Sequence, residues 1–265
     1  MRICKKISLS RQSYYKQLSK QAVADLKPDL RDRVVITRNQ CGQIGGRKLY
    51  YLLSGELEIG RDKFFHWLRE ERLLVNRKRR FAKTTNSNHS YRIPPNRIER
   101  LQIDKADQVW VSDITYLRTR DGFCYLALVM DLYSRRIVGF DVNNTLELVG
   151  AQRALKMAQR QRINKVKTIH HSDRGSQYAS PRYVNLLRDK GMINSMTTGG
   201  NCYQNAAAER LNGILKYEFS LNSTFESIAD AKRTVLQAVY CYNNNRPHWA
   251  LNMKTPNQVY QEVVT

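Results

Sequence analysis

The feature that most constrains the fold is a change of hydrophobic period near residue 105. Three stretches follow in close succession: Gln108–Arg118, alternating around Val109, Val111, Ile114 and Tyr116, then the apolar run Phe123–Leu132, then Arg136–Val142. Alternation and short apolar runs of this kind are strand signals. Gly122 marks the first turn and Tyr133-Ser-Arg the second, so the three form an antiparallel meander. The period then becomes helical, with Leu148, Ala151, Leu155 and Ala158 on one face of Glu147–Arg160. Val166–His171 reads as strand, Pro181–Asp189 as helix, Ile193–Met196 as a short strand, and helices follow. This order predicts an α/β fold, a mixed sheet in which parallel crossovers extend a meander and helices flank both faces.

The residues before that change have another texture. Residues 1–40 form a basic, partly helix-compatible segment, with Ser8-Leu-Ser-Arg-Gln-Ser-Tyr-Tyr15 reading as a capped helix start. In residues 41–80 two short amphipathic stretches, Arg47–Leu53 and Arg61–Arg72, flank a Ser54-Gly55 break, the pattern of a helix-turn-helix, with Phe64, Trp67 and Leu68 on the inner face of the second. The cluster Arg77-Lys78-Arg79-Arg80 directly after it can neutralise several phosphates. Residues 81–104, polar and punctuated by Pro94 and Pro95, read as a linker, and residues 105–265 as the α/β core.

Charge names a partner class. The chain carries 45 Lys and Arg against 23 Asp and Glu, a formal +22, and residues 1–107 hold 25 of the bases but only 11 of the acids. Such an excess repels itself unless a polyanion is near, and nucleic acid is the expected one. Basicity alone selects no activity. The five cysteines are scattered and contain no C-x-x-C pair, which argues against a disulfide framework or a zinc ribbon and for free thiols in a reducing compartment. The first residues lack the apolar run of a signal peptide, and the longest apolar stretch, Phe123–Met130, is too short to span a bilayer. The expectation is a cytoplasmic protein associated with the nucleoid and without a membrane partner.

Three acids stand where local preference disfavours them or where sites collect. Asp113 interrupts the strand Trp110-Val-Ser-Asp-Ile-Thr-Tyr116. Asp173 follows an apolar strand in His171-Ser-Asp-Arg-Gly-Ser-Gln-Tyr178, at the carboxyl end where α/β sheets gather their ligands. Glu209 lies on a helix whose Asn205, Glu209, Asn212 and Lys216 share one polar face. Taken singly, each has an ordinary reading as a solvated or turn residue.

Together, in the order Asp, Asp, then Glu after 35 intervening residues, they resemble the DDE transposase and retroviral integrase superfamily. Within it the sequence is most similar to the OrfB product of the bacterial insertion sequence three family. The resemblance is carried by the two Asp motifs, by Gly200-Asn-Cys-Tyr-Gln-Asn-Ala-Ala-Ala-Glu209, by Lys216 and by Tyr242-Asn-Asn-Asn-Arg-Pro-His248. Gln204 stands where an acidic residue is expected. The resemblance implies a ribonuclease-H-like core and a two-metal phosphoryl transfer that frees a DNA 3′-hydroxyl and joins it to another strand. Asp113, Asp173 and Glu209 would be both catalytic residues and metal ligands. An all-oxygen donor set suits two Mg²⁺, or Mn²⁺, better than zinc.

The resemblance further implies a DNA contact at Lys216 and an OrfA partner, separate or fused; Asn205 and Arg174 flank the acids and are candidates to position phosphates, and bringing two element ends together calls for a homo-oligomer on DNA. Arg246 is a further candidate to reach DNA. His170 and His171 invite a zinc or general-base reading, but no third ligand stands at the right spacing, so hydrogen bonding at a strand end is expected. Asp131 competes with Asp113 as the first acid and is read as structural, paired with the arginines of Ser134-Arg-Arg. Two other readings stay open from sequence: a ribonuclease-H-type nuclease or resolvase that cuts without joining, and a non-catalytic basic DNA-binding protein.

Overall fold

The computed structural model describes residues 10, 12, 27–57, 59–75, 90–164, 166–198 and 205–262. The Ser8 helix start, the basic cluster 77–80 and the 200–204 part of the third motif lie outside the described residues. The chain divides into two compact units, Met1–Arg77 and Lys78–Thr265.

Among its described residues the first unit contains three helices, α1 (Lys27–Cys41), α2 (Gly46–Leu53) and α3 (Arg61–Glu70). Leu30 and Val34 of α1 close a single core with Ile44, Leu49, Leu53, Phe64, Trp67 and Leu68. Leu52 falls on the outer side of α2 and stays exposed, as the helical period requires. Arg38 is buried and its guanidinium donates to the Leu73 carbonyl at 2.7 Å, tying α1 to the end of α3.

The second unit is built on strands β1 (Val109–Thr119), β2 (Gly122–Asp131), β3 (Ile137–Asn143), β4 (Ile169–Ser172), β5 (Ile193–Met196) and β6 (Thr224–Phe225). Its helices are α4 (Leu148–Gln161), α5 (Ser176–Ala179), α6 (Pro181–Asp189), α7 (Ala206–Glu218), α8 (Ile228–Asn244) and α9 (Pro256–Gln261). The sheet order is β3-β2-β1-β4-β5, with β6 also on β1. Strands β1 to β3 pair antiparallel, whereas β4, β5 and β6 run parallel to their neighbours. The expected mixed sheet is therefore present. Among the described residues no helix is long and apolar enough to cross a membrane.

Side-chain alternation along β1 sorts the core into two layers. Val109, Val111 and Leu117 pack with Leu211 and Leu215 of α7 and Val235 and Tyr242 of α8. Trp110 points the other way, into a layer with Ala151, Ala154 and Leu155 of α4 and Tyr183 of α6. There α4 lies very close to β3, because a Cβ at Gly139 would run into the Ala154 carbonyl. Three buried alanines on that side of α4 leave the same room.

One edge of β1 positions the site. β4 pairs with β1 only from Val109 to Ser112, and β6 only at Arg118 and Thr119. Between them Asp113–Leu117 is open, and α7 lies against β1. Asp107 fixes the entry to β1. It adopts a left-handed φ of 66° and is fully buried. Its carboxylate accepts from Trp110 Nε1, Tyr260 Oη and the backbone N–H groups of Ile163 and Asn164, at 2.8–3.1 Å.

Candidate active site

Asp113 is the first residue of β1 beyond the β4 pairing, and Asp173 is the first residue after β4, whose Ser172 is the register partner of Ser112. Parallel pairing therefore sets the two acids side by side at the carboxyl end of β4, the place where α/β sheets leave a crevice. Asp113 Oδ1 accepts from the Ile114 N–H at 2.9 Å, and Oδ2 accepts from Asn212 Nδ2 of α7 at 2.6 Å. Asp173 Oδ1 accepts from the Gly175 N–H at 3.0 Å, and a Cβ on Gly175 would sit 3.1 Å from that oxygen.

Burial, then repulsion from Asp173 and more weakly from Glu209, pushes the Asp113 carboxyl up to about 8. The Ile114 hydrogen bond and the Lys216 ammonium oppose that rise. Glu209 is in the first turn of α7 and exposed. Among the described residues no three His, Cys, Asp or Glu converge closely enough to hold a metal ion as they stand. The donor chemistry nonetheless fits a hard divalent cation: Asp113 is a buried carboxylate crowded by like charge, a condition a cation relieves. The Asn212 Oδ1, buried without a partner among the described residues, is a further oxygen beside it.

Lys216, one turn beyond Asn212, is half-buried with its Nζ 4.5 Å from the centre of the Tyr116 ring. Burial lowers its pKa and Asp113 raises it. Asn205 immediately precedes α7 and is only 5% exposed, with an Oδ1 that finds no partner among the described residues. Arg174 donates through Nε to the Thr197 carbonyl at 2.9 Å, so part of its guanidinium holds its own loop to the end of β5.

The histidines are buried hydrogen-bonding residues. His170 Nε2 lies 2.8 Å from Ser112 Oγ and 3.0 Å from Tyr183 Oη, and His171 Nδ1 lies 2.9 Å from Ser195 Oγ. Burial first, then the neighbouring His171, lowers His170 to about 3. Asp131 is fully buried but at the end of β2 opposite Trp110, where it accepts from Ser134 N and Oγ and from the Asp107 N–H. Its hydrogen-bond partners are thus a serine turn and a backbone amide, while the expected arginines, Arg135 and Arg136, act on it through charge alone. Arg136 instead donates to Asn257 and Gln161.

Arg246 requires a correction. It is 2% exposed and grips Glu218, the last residue of α7, through two hydrogen bonds of 2.7 Å, with His248 Nε2 at 3.0 Å from its third nitrogen. A buried, bidentate guanidinium cannot also reach DNA. Sequence reading missed this pairing, and it missed Asn212 as the partner of Asp113, though the shared polar face of α7 had placed Asn212 beside Glu209 and Lys216.

Comparison with known proteins bears on this arrangement. Two family descriptions, both of an integrase core domain, match residues 104–202 and 190–256. A 31 kDa protein of insertion element IS600 from Shigella sonnei is 34% identical over 96% of this chain and 96% of its own. Transposase InsF of insertion sequence IS3A from Escherichia coli strain K12 is 34% identical over 72% of this chain and 67% of its own. Among solved structures, a chain of the simian T-cell lymphotropic virus intasome in complex with PP2A regulatory subunit B56 gamma aligns with a TM-score of 0.50 at 17% identity, over 82% of this chain and 70% of that one. That likeness speaks for the fold, a ribonuclease-H-like sheet flanked by helices.

Proposed function

This chain belongs to the DDE transposase and integrase superfamily, among the insertion-sequence transposases, and from that premise we propose that it cleaves the ends of its element and joins the freed 3′-hydroxyl to another DNA strand, with Asp113, Asp173 and Glu209 as its acids. The observation that supports this most is the pairing of Asp113 and Asp173 across two parallel strands, with Asp113 held by the Ile114 N–H and Asn212 and Asp173 by the Gly175 N–H. The enzyme is a polynucleotidyl transferase. In each step a P–O bond forms to the attacking oxygen, of water and then of the 3′-hydroxyl, while the bond to the departing 3′-oxygen breaks.

Asp113, Asp173 and Glu209 would hold divalent cations, two Mg²⁺ or Mn²⁺ in our reading, which would supply Lewis-acid stabilisation of the reacting oxygens. The residues of the chain do the rest. Asn212 and the Gly175 N–H fix the two aspartates, since ligand carboxylates need partners of their own. Lys216 sets a cation beside Asp113, where a DNA phosphate would lie. Arg174 and Asn205 bracket the site. Glu209, exposed on the first turn of α7, would complete the set.

The helices of the first unit and the cluster Arg77–Arg80 would bind the duplex through its phosphates. Bringing two ends together calls for an oligomer on DNA, and an OrfA product is a further partner by the family's organisation. The protein would work in the cytoplasm, at the nucleoid. Labelled element-end duplex incubated with the protein and Mg²⁺ tests the reading. Products longer than the substrate are expected, whereas shortened products alone would mean a nuclease that does not join.

A further inference from the structure

We propose that the aromatic face of the β1–β2 hairpin, linked to the acids through Lys216, is a stacking subsite for an unpaired nucleobase of the DNA strand being processed, an inference that rests on the phosphoryl-transfer reading. Tyr116 pairs with Tyr125 and Arg118 with Phe123, so Tyr116 and Phe123 are diagonal neighbours on one face of the hairpin. Their rings meet edge to face, 5.4 Å apart at 89°. Phe123 is 51% exposed, and nothing in the core needs it there. Lys216 closes over the Tyr116 ring at 4.5 Å. Arg118, exposed on the same face, has no acidic partner among the described residues. A shallow groove lined by Ile114, Tyr125, Leu146 and Gly150 among others continues the same face.

Aromatic rings flanked by cations are what an unpaired nucleotide recognises. Every base presents a π-face that stacks on an aromatic side chain, and its phosphate seeks the adjacent positive charge. The position is also right. Tyr116 lies three residues beyond Asp113, about 10 Å along the strand and on its other face, and Lys216, whose charge interacts with Asp113, reaches past the open edge of β1 to the Tyr116 ring, so a base stacked there flanks the reacting phosphate and does not carry it. Freeing and joining a strand end exposes bases that need such a surface. A protein surface as the occupant would call for acids opposite Lys216 and Arg118, whereas a DNA strand brings its own negative charge.

The experiment uses the full chain and a short oligothymidylate with one 2-aminopurine near its 3′ end, single-stranded or annealed, and the variants Phe123→Leu and Phe123→Trp. Leucine keeps the apolar area but removes the ring. Wild type and Phe123→Trp should quench the 2-aminopurine on binding; Phe123→Leu should lose the quench and bind the single strand about 10-fold more weakly. Its salt dependence should be unchanged, because no phosphate contact is lost. Equal quenching and affinity in Phe123→Leu would overturn the subsite, as would an equal loss on fully duplex DNA. A change in the sedimentation mass of Phe123→Leu without DNA would mark a contact between copies and overturn it too. If wild type joins DNA while Phe123→Leu is indistinguishable from it, only the subsite fails; if wild type never joins DNA, the function reading fails.

Discussion

Asn212 Nδ2 donates to Asp113 Oδ2 at 2.6 Å, bridging the helix that carries Glu209 to the strand that carries the first acid. The bond fixes one carboxylate oxygen and couples the positions of two acids 96 residues apart in the chain. Asn212→Ala should therefore lower cleavage about 10- to 100-fold and raise the divalent ion concentration needed for half-maximal rate. Asn212→Asp should be worse, since it adds a fourth negative charge. Metal titrations of cleavage by both variants check this, and an unchanged half-maximal concentration would contradict the role.

Asp113 illustrates a site maintained against stability. Held near 8 by burial and by its acidic neighbours, it opposes folding at neutral pH when no cation is bound. Asp113→Asn should abolish activity yet stabilise the metal-free protein by about 1–3 kcal/mol. Mg²⁺ should then raise the melting temperature of wild type more than that of the variant. Thermal unfolding with and without Mg²⁺ decides it, and a variant less stable than metal-free wild type would count against the account.

His170 gives the fold a sensitivity to acid. It packs among Ser112 of β1, Tyr178 of α5, Tyr183 of α6 and its neighbour His171, and its pKa is lowered from 6.5 to about 3. Between those values the unfolded chain takes up a proton that the native state refuses. This contribution to stability is complete above pH 6.5 and is lost as pH falls towards 3. Asp131, raised to about 6 by burial, acts in the opposite sense between pH 6 and 4, where the native state binds the proton more readily. Comparing wild type with His170→Gln isolates the first effect. From pH 7 to 4 the variant should lose about 2–4 kcal/mol less stability than wild type. Parallel urea-unfolding curves at the two pH values would refute it.

Arg246 is a latch on α7, the helix that carries Glu209. Removing one partner of a buried, hydrogen-bonded ion pair leaves the other charge uncompensated, at a cost of about 3–5 kcal/mol. Arg246→Met should therefore destabilise the fold strongly, while Arg246→Met with Glu218→Leu should recover much of the loss. Neither should alter the salt dependence of DNA binding. A shallower salt slope would return Arg246 to the DNA surface.

Much of this fold was legible because β1, β2 and β3 are long enough for alternation to register, and because Ile193–Met196 and Pro181–Asp189 are bounded by turns. β4 was expected from Val166 but begins at Ile169, because a strand starts where pairing with Val109 starts, and only the partner sets that point. The two-residue β6 and four-residue α5 are too short for any period to show. Within the site, Asp113 and Asp173 stood out as acids in apolar strands. The partners of polar side chains did not, since Asn212 finds Asp113, and Arg246 finds Glu218, only once α7 is laid on the open edge of β1.

The central claim, that Asp113, Asp173 and Glu209 carry out cutting and joining at one site, is tested most directly by strand transfer with labelled element-end DNA in Mg²⁺ or Mn²⁺, comparing wild type with Asp113→Asn, Asp173→Asn and Glu209→Gln. The account predicts that each single substitution abolishes both the freed 3′-end and the joined product, while DNA binding persists. Undiminished joining by any one of the three would remove that acid from the site.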